Sequence, residues 1–244
     1  TISAAPGLEE RPVITHNNPE TSTIVLIEIK NGGSLKLQGV ELDGLADSEM
    51  PAKYLLRTDN DPMALPYSIV VENCYLHDVV IGSDGNFLRA YEGTFADTLI
   101  FRNSLFLNSG KEGLRINDAD NTVGYFELDN CTFWKTNKEA VYIQGTDPMI
   151  RVNHCTFDSC GYNGARPLRF RYVTDAVIKN SLVTNGNYHI AVSLYGNSTI
   201  SYSDIYNAGE IDLRDDAVSG PVMLSVDPLY LNSGEGNFTL EASS

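Results

Sequence analysis

The sequence predicts an all-β fold, a right-handed parallel β-helix of about seven or more rungs. Three observations carry this: a recurring eight-residue motif, a column of Asn and Gly inside it, and the scarcity of helical periodicity. The copies read VENCYLHD (71–78), FRNSLFLN (101–108), LDNCTFWK (128–135), VNHCTFDS (152–159), IKNSLVTN (178–185) and ISYSDIYN (200–207), with LQGVELDG (37–44) a weaker, earlier copy. They recur every 22 to 34 residues. Repeats of that length are the mark of a solenoid, whose coils bury their apolar faces only by stacking.

Each element of the motif then has a reason. Its third position reads Gly39, Asn73, Asn103, Asn130, His154, Asn180, Tyr202, and Asn and Gly are the residues that most readily take a left-handed backbone, so the column marks a tight bend between two short strands. The fourth reads Val40, Cys74, Ser104, Cys131, Cys155, Ser181, Ser203, a small-residue column suited to stacking inside a narrow core. The cysteines are read as packing rather than chemistry, with a Cys131–Cys155 disulfide left open. His154 in the bend slot and His77 beside the inward Leu76 are likewise read as structural. A β-sandwich, the competing fold, would not return Asn to one slot coil after coil.

Between motif copies each coil carries one more strand: FLRAYE (87–92), GLRIND (113–118), AVYIQG (140–145), PLRFRY (167–172), HIAVSL (189–194) and EIDLRD (210–215). Strand side chains alternate faces. Leu88/Ala90, Leu114/Ile116, Val141/Ile143, Leu168/Phe170, Ile190/Val192 and Ile211/Leu213 are therefore expected inside. Arg89/Tyr91, Arg115/Asn117, Tyr142/Gln144, Arg169/Arg171, Ala191/Ser193 and Asp212/Arg214 are expected outside. Five of the ten arginines of a chain with formal net charge -15 would then share one outward sheet face. Lys111, Lys138, Tyr162, Arg166, Tyr188 and His189 would line the loops entering it, and Glu92, Asp97, Asp118, Asp120, Asp147 and Asp175 those leaving it. The competing reading is a solvated charged surface in which Arg89 and Arg115 pair with Glu92, Glu112 or Asp118.

Composition bounds the partners. Seventeen basic against 32 acidic residues argue against nucleic acid, which needs a basic footprint. No run approaches the ~18 apolar residues that a transmembrane helix requires. Length predicts a single domain over 1–244, and an opening that reads at once as strand and turn predicts a piece of a longer precursor, with the compartment not readable from composition. A monomer is expected.

The xNC/SxFxxN coils, the opening AAPGLEERPVI and the closing VDPLYLNSGEGNFTL resemble bacterial secreted and surface β-helix proteins related to chondroitinase B and the alginate lyases. The resemblance implies a secreted, periplasmic or cell-surface protein that engages an acidic polysaccharide and cleaves it by β-elimination; the alternative is a non-catalytic carbohydrate-binding or scaffold β-helix. Such lyases use a Lys and an Arg on this strand face. Arg115 and Arg169 match the arginine, but no outward strand position holds a lysine, so Lys138 in a preceding loop and Tyr142 complete the candidate catalytic set, with His189 a further candidate base. Arg89, Tyr91, Asn117, Gln144, Arg166 and Arg171 are the candidate substrate-binding residues, since guanidinium forks suit carboxylate and sulfate and aromatic faces suit sugar rings. No cofactor or metal site is predicted. A calcium requirement is left open, because NDADN (117–121) and DLRDDA (212–217) offer oxygens without the full calcium-loop pattern.

Overall fold

The computed structural model describes residues 1–17, 23–59, 61–80, 84–118, 120–145, 148–173 and 175–241, and it turns the chain wherever the motif repeats. All seven bend residues take a left-handed backbone, from φ 67° at Gly39 through 51° at Asn130 to 50° at Tyr202. The bend keeps the backbone ladder unbroken. Asn73, Asn103 and Asn130 each donate their N–H to the carbonyl of the next coil, at Arg102, Asp129 and Asn153. Side-chain amides repeat the link outside, Asn130 Nδ2 to Asn103 Oδ1 at 2.8 Å and Asn180 Nδ2 to Asn153 Oδ1 at 2.9 Å.

A second left-handed column closes the motif at Asp78, Asn108, Lys135, Ser159, Asn185 and Asn207. Two corners per coil make three sheets. Among the described residues the first stacks nine strands from Ile2–Ser3 to Val218–Ser219, the second nine from Val13–Ile14 to Met223–Leu224, and the third eight from Val25–Ile29 to Glu210–Leu213. Every pairing in these sheets is parallel and joins neighbouring coils. The fold is thus a parallel β-helix with more coils than the seven motif copies marked, because Val25–Ile29 and Tyr54–Thr58 belong to early coils whose motif is weak or missing.

Stacking turns each coil position into a column. In the core Phe106, Phe133 and Phe157 lie one above another, at 4.3 and 5.4 Å between ring centroids with their planes nearly parallel, flanked by Leu76 and Val183. The small-residue column is packing, as expected: all four cysteines are buried and free, so no Cys131–Cys155 disulfide forms. Its hydroxyls link coils, with Ser104 accepting from the Cys74 N–H, Ser181 from Cys155 and Ser203 from Ser181. Burial and the Cys131 neighbour push the Cys155 thiol well up, which leaves it inert.

The closing segment folds back as an antiparallel hairpin, Tyr230–Asn232 against Asn237–Leu240, over the outer face of the second sheet. Phe238 meets the Trp134 ring edge-on at 6.1 Å and Tyr230 at 5.2 Å. Gly236 at the turn has φ 79°, and a Cβ there would come within 2.8 Å of Trp134.

Asn130→Val should cost about 1–2 kcal/mol, the penalty of forcing a branched side chain into the left-handed region, while Asn130→Gly should stay close to wild type. Urea midpoints measure both. Equal losses would mean that the amide ladder, rather than the backbone geometry, holds the corner.

Candidate functional site

Register along the third sheet sets the outward face residue by residue. Glu28, Arg57, Arg89, Arg115, Tyr142, Arg169, Ser193 and Asp212 form one column. Gln144 and Arg171 pair in a second column, with Tyr91 and Asn117 at the matching strand ends. The expected alternation holds through the middle coils, where Leu88, Ala90, Leu114, Ile116, Val141, Ile143, Leu168 and Phe170 are fully buried. It fails at the end. A register shift falls between Ile190 and Val192, where Ala191 is buried; Ser193 keeps its place in the outward column but is covered, and Leu213, expected inside, is 37% exposed on the last strand.

Stacked guanidinium groups repel, and about 1 kcal/mol per pair at ~4 Å even in water must be answered. Carboxylates answer most of it. Arg57 is paired with Glu28, and Arg89 with Asp118. Arg115 lies 3.6 Å from Glu112 and 3.7 Å from Asp118, and its Nε donates to Asn117 at 3.0 Å. Arg169 lies 3.3 Å from Glu139 and over the Tyr142 ring at 4.4 Å. Glu112 and Glu139 are buried, so these pairs are built into the wall rather than scattered over it. Glu28 shows the effect: hydrogen bonds from Lys30 and Arg57 hold its carboxyl below its ordinary value against its partial burial.

The expected site residues therefore separate into two groups. Arg89, Arg115 and Arg169 are committed to ion pairs; Tyr91 stacks on Arg89 at 4.9 Å, and Tyr142 is buried with its hydroxyl 3.2 Å from Gln144 Oε1. Arg166, Arg171 and Lys138 meet no carboxylate among the described residues. Arg171 donates to the Tyr172 hydroxyl at 2.9 Å and lies over that ring at 4.8 Å. Tyr172 is itself exposed and held at φ 62°, an uncommon state for an aromatic residue, beside Tyr195 at 6.0 Å. Arg166 lies over Tyr188 at 5.5 Å with its Nε buried and without a partner among the described residues. Lys138 and Arg166 enter the face on adjacent coils, as the Ala140 and Val141 N–H groups both reach the Pro167 carbonyl.

The two-rim picture is only partly realised. On the entering side Lys111 is spent on Asp84 at 3.2 Å, and Lys53 reaches the same carboxylate at 2.5 Å. Burial alone would raise the Asp84 carboxyl, but the two ammonium groups win and hold it below its ordinary value. His189 is exposed and packs its ring on Tyr188 at 4.0 Å. On the leaving side Asp118 serves the arginines, Asp175 pairs with Arg151 at 2.9 Å, and Asp147 lies outside the described residues. Beside the entering loops a cleft of about 550 Å³ opens between Asn108, Lys135, Thr136 and Tyr162, and Tyr162 is exposed.

Several oxygens of the two acidic turns are already engaged. In NDADN, Asp118 and Asn117 bind arginines and Asn121 accepts from the Thr94 N–H at 3.2 Å; in DLRDDA, Asp212 holds Arg214 and Ser193. What sequence reasoning missed was Arg57 in the column and the compensating carboxylates Glu28, Glu139 and Asp84. A signal existed in the Lys–Glu pair that recurs at 111–112 and 138–139, one coil apart, immediately before the third-sheet strand.

Three all-parallel sheets with an ion-paired arginine column on one of them define a parallel β-helix of many rungs. Residues 112–226, just under half of the chain, match the family described as a right handed beta helix region, which agrees with the coils seen there. No curated protein matches the chain. Among the described residues no helix is long and apolar enough to cross a membrane.

Arg169→Ala would strand the buried Glu139 and should destabilise the fold by about 1.5–3 kcal/mol, with Glu139→Gln in the same background recovering part of the loss. Urea denaturation of the single and double variants checks it. A second prediction follows from Asp84, whose carboxyl is depressed in the folded protein: its stabilising contribution is present above the unfolded value near ~3.9 and is lost as pH falls through the folded one. The thermal midpoint should therefore drop more steeply below about pH 4 in wild type than in Asp84→Asn.

Proposed function

We propose that the protein binds an acidic polysaccharide at the coil spanning residues 165–172, with Arg171 and Arg166 as the anion-binding groups and Tyr172, Tyr188 and Tyr162 as platforms for sugar rings. One observation carries the reading. In a chain of net charge -15, Arg166 and Arg171 are cations of a single coil that no carboxylate of the described residues answers, each stacked on a tyrosine. Arg171 ends the strand Leu168–Arg171 and Arg166 lies two residues before its start, at most about 16 Å apart at ~3.3 Å per residue, a span that suits an extended polymer better than a small anion. Lys138 adds a third such cation one coil away. Arg89, Arg115, Asn117 and Gln144 then act as the rigid wall behind the ligand rather than as its direct contacts. A ligand of this class places the protein outside the cytoplasm, secreted, periplasmic or on the cell surface.

Lytic cleavage is the second reading. It is favoured by Tyr142 standing between Arg115 and Arg169 in one column, where a phenolate base would be flanked by two cations able to neutralise a uronate. The burial of Tyr142 and the commitment of both arginines to glutamates weigh for binding without cleavage.

Calorimetric titration with polygalacturonate, alginate and chondroitin sulfate, against a neutral glucan, tests the binding. Affinity for at least one polyanion should fall as salt rises, and Arg166→Ala with Arg171→Ala should weaken it at least ~10-fold, the loss of charge-assisted contacts, while Arg115→Ala chiefly lowers stability. Equal binding of the neutral glucan, or indifference to the double variant, would overturn the assignment. Ultraviolet absorbance of an unsaturated uronide product in the same samples would move the protein to the lyase reading.

A further inference from the structure

The second sheet carries, in its early coils, a cluster that the polysaccharide reading does not use. Strands Glu41–Asp43 and Tyr75–His77 are neighbours in register, with Glu41 opposite Tyr75 and Asp43 opposite His77. His77 is 7% exposed, although it lies on the outer face of its strand. Its Nε2 faces Glu41 Oε1 at 3.0 Å. Its Nδ1 faces Asp78 Oδ2 at 2.7 Å and Asp43 Oδ1 at 3.8 Å, and these three atoms lie within 4.8 Å of one another.

A neutral imidazole has one N–H, and Glu41 can take it at Nε2. The Nδ1 lone pair is then aimed at two carboxylate oxygens. Three electron-rich atoms converging at that spacing repel unless a proton or a metal ion stands among them. Every converging group is also held from behind. Glu41 orients the ring through Nε2, and Tyr75 stacks on it at 4.1 Å between centroids. Asn108 Nδ2 holds the other oxygen of Asp78 at 2.6 Å, leaving Oδ2 free to point at His77, and the Leu45 N–H holds Asp43 Oδ1 at 2.8 Å. A histidine that gives one N–H to a carboxylate while its other nitrogen meets two further carboxylates is the arrangement by which outer residues orient metal ligands.

We propose that His77 Nδ1, Asp43 and Asp78 bind one divalent first-row transition ion, with Glu41 and Asn108 as positioning residues. One imidazole nitrogen with two carboxylates suits Zn²⁺ or Mn²⁺ better than Ca²⁺, which takes six to eight oxygens. Three protein ligands leave coordination positions to water. The ion would pin the early coils, where the bend column is weakest in sequence. Its place on the second sheet keeps it apart from the arginine column of the third, so it stands or falls independently of the polysaccharide assignment.

The test is equilibrium dialysis of the chelator-treated protein against Zn²⁺, and against Co²⁺ for its visible absorption, together with thermal melts. One ion per chain, a thermal midpoint raised by Zn²⁺ and restored by EDTA, and little response to Ca²⁺ are expected. His77→Ala and Asp78→Asn should abolish uptake. Glu41→Gln, which leaves the ligands in place and so the fold intact, should weaken it ~10- to 100-fold. No uptake, or uptake that Glu41→Gln and Asp78→Asn leave unchanged, would overturn the site. A melt that depends on pH but not on metal would show that the cation is only a proton on His77.

Discussion

The structure depends on one constraint, that the backbone ladder pass through each corner without losing a hydrogen bond. A left-handed residue turns the chain sharply while its N–H still points along the helix axis, so Asn73, Asn103 and Asn130 donate to the next coil as a strand residue would. Were the corner open, each coil would present unpaired backbone groups at two places, and a buried unpaired group costs about as much as a lost hydrogen bond. The coils would also be free to slip by one residue, which would turn every core side chain outward. Corner and register are therefore the same requirement.

In-register stacking has a cost that shapes the surface. Whatever occupies one position is brought within ~4.8 Å of its counterpart on the next coil, so apolar columns become a core and charged columns become a problem. The phenylalanines at 106, 133 and 157 show the favourable case. The arginines at 57, 89, 115 and 169 show the other, and the chain resolves it with Glu28, Asp118, Glu112 and Glu139, drawn from the same column or from the loops beside it. Tyr142 interrupts the run and lends its ring to Arg169. This accounting is what separates Arg166 and Arg171 from their neighbours: they stand where compensation by the described residues stops.

Much of this was legible in the sequence, for definite reasons. The bend column could be read because five of its seven members are Gly or Asn, residues whose conformational preference is intrinsic. The second corner was obscured where it falls on Lys135 and Ser159, which take φ 55° and 53° only because stacking forces them to. Inward and outward positions of the third sheet followed from period-two alternation until the shift at Ile190, which no local pattern announces. Ion pairing was the harder part. Glu139 reaches Arg169 thirty residues on, across a coil boundary, and only the register makes them neighbours. His77 was obscured for the same reason: Asp78 adjoins it in sequence, but Glu41 and Asp43 arrive from the coil before.

A solenoid can carry unrelated sites because each coil contacts only its neighbours. The carboxylate–histidine cluster belongs to the coils of residues 41–45, 75–78 and 108, whereas the cations that no carboxylate of the described residues answers belong to those of 138 and 165–172. They lie on different sheets and share no side-chain contact among the described residues. Their chemistry is opposite as well, carboxylates gathered about a point in one place and guanidinium groups spread along a strand in the other. A point of negative charge orders a cation and with it the coils that supply the ligands. A line of positive charge backed by tyrosine does little for the fold, since its members repel, and its geometry is the one that the proposed extended anion would match.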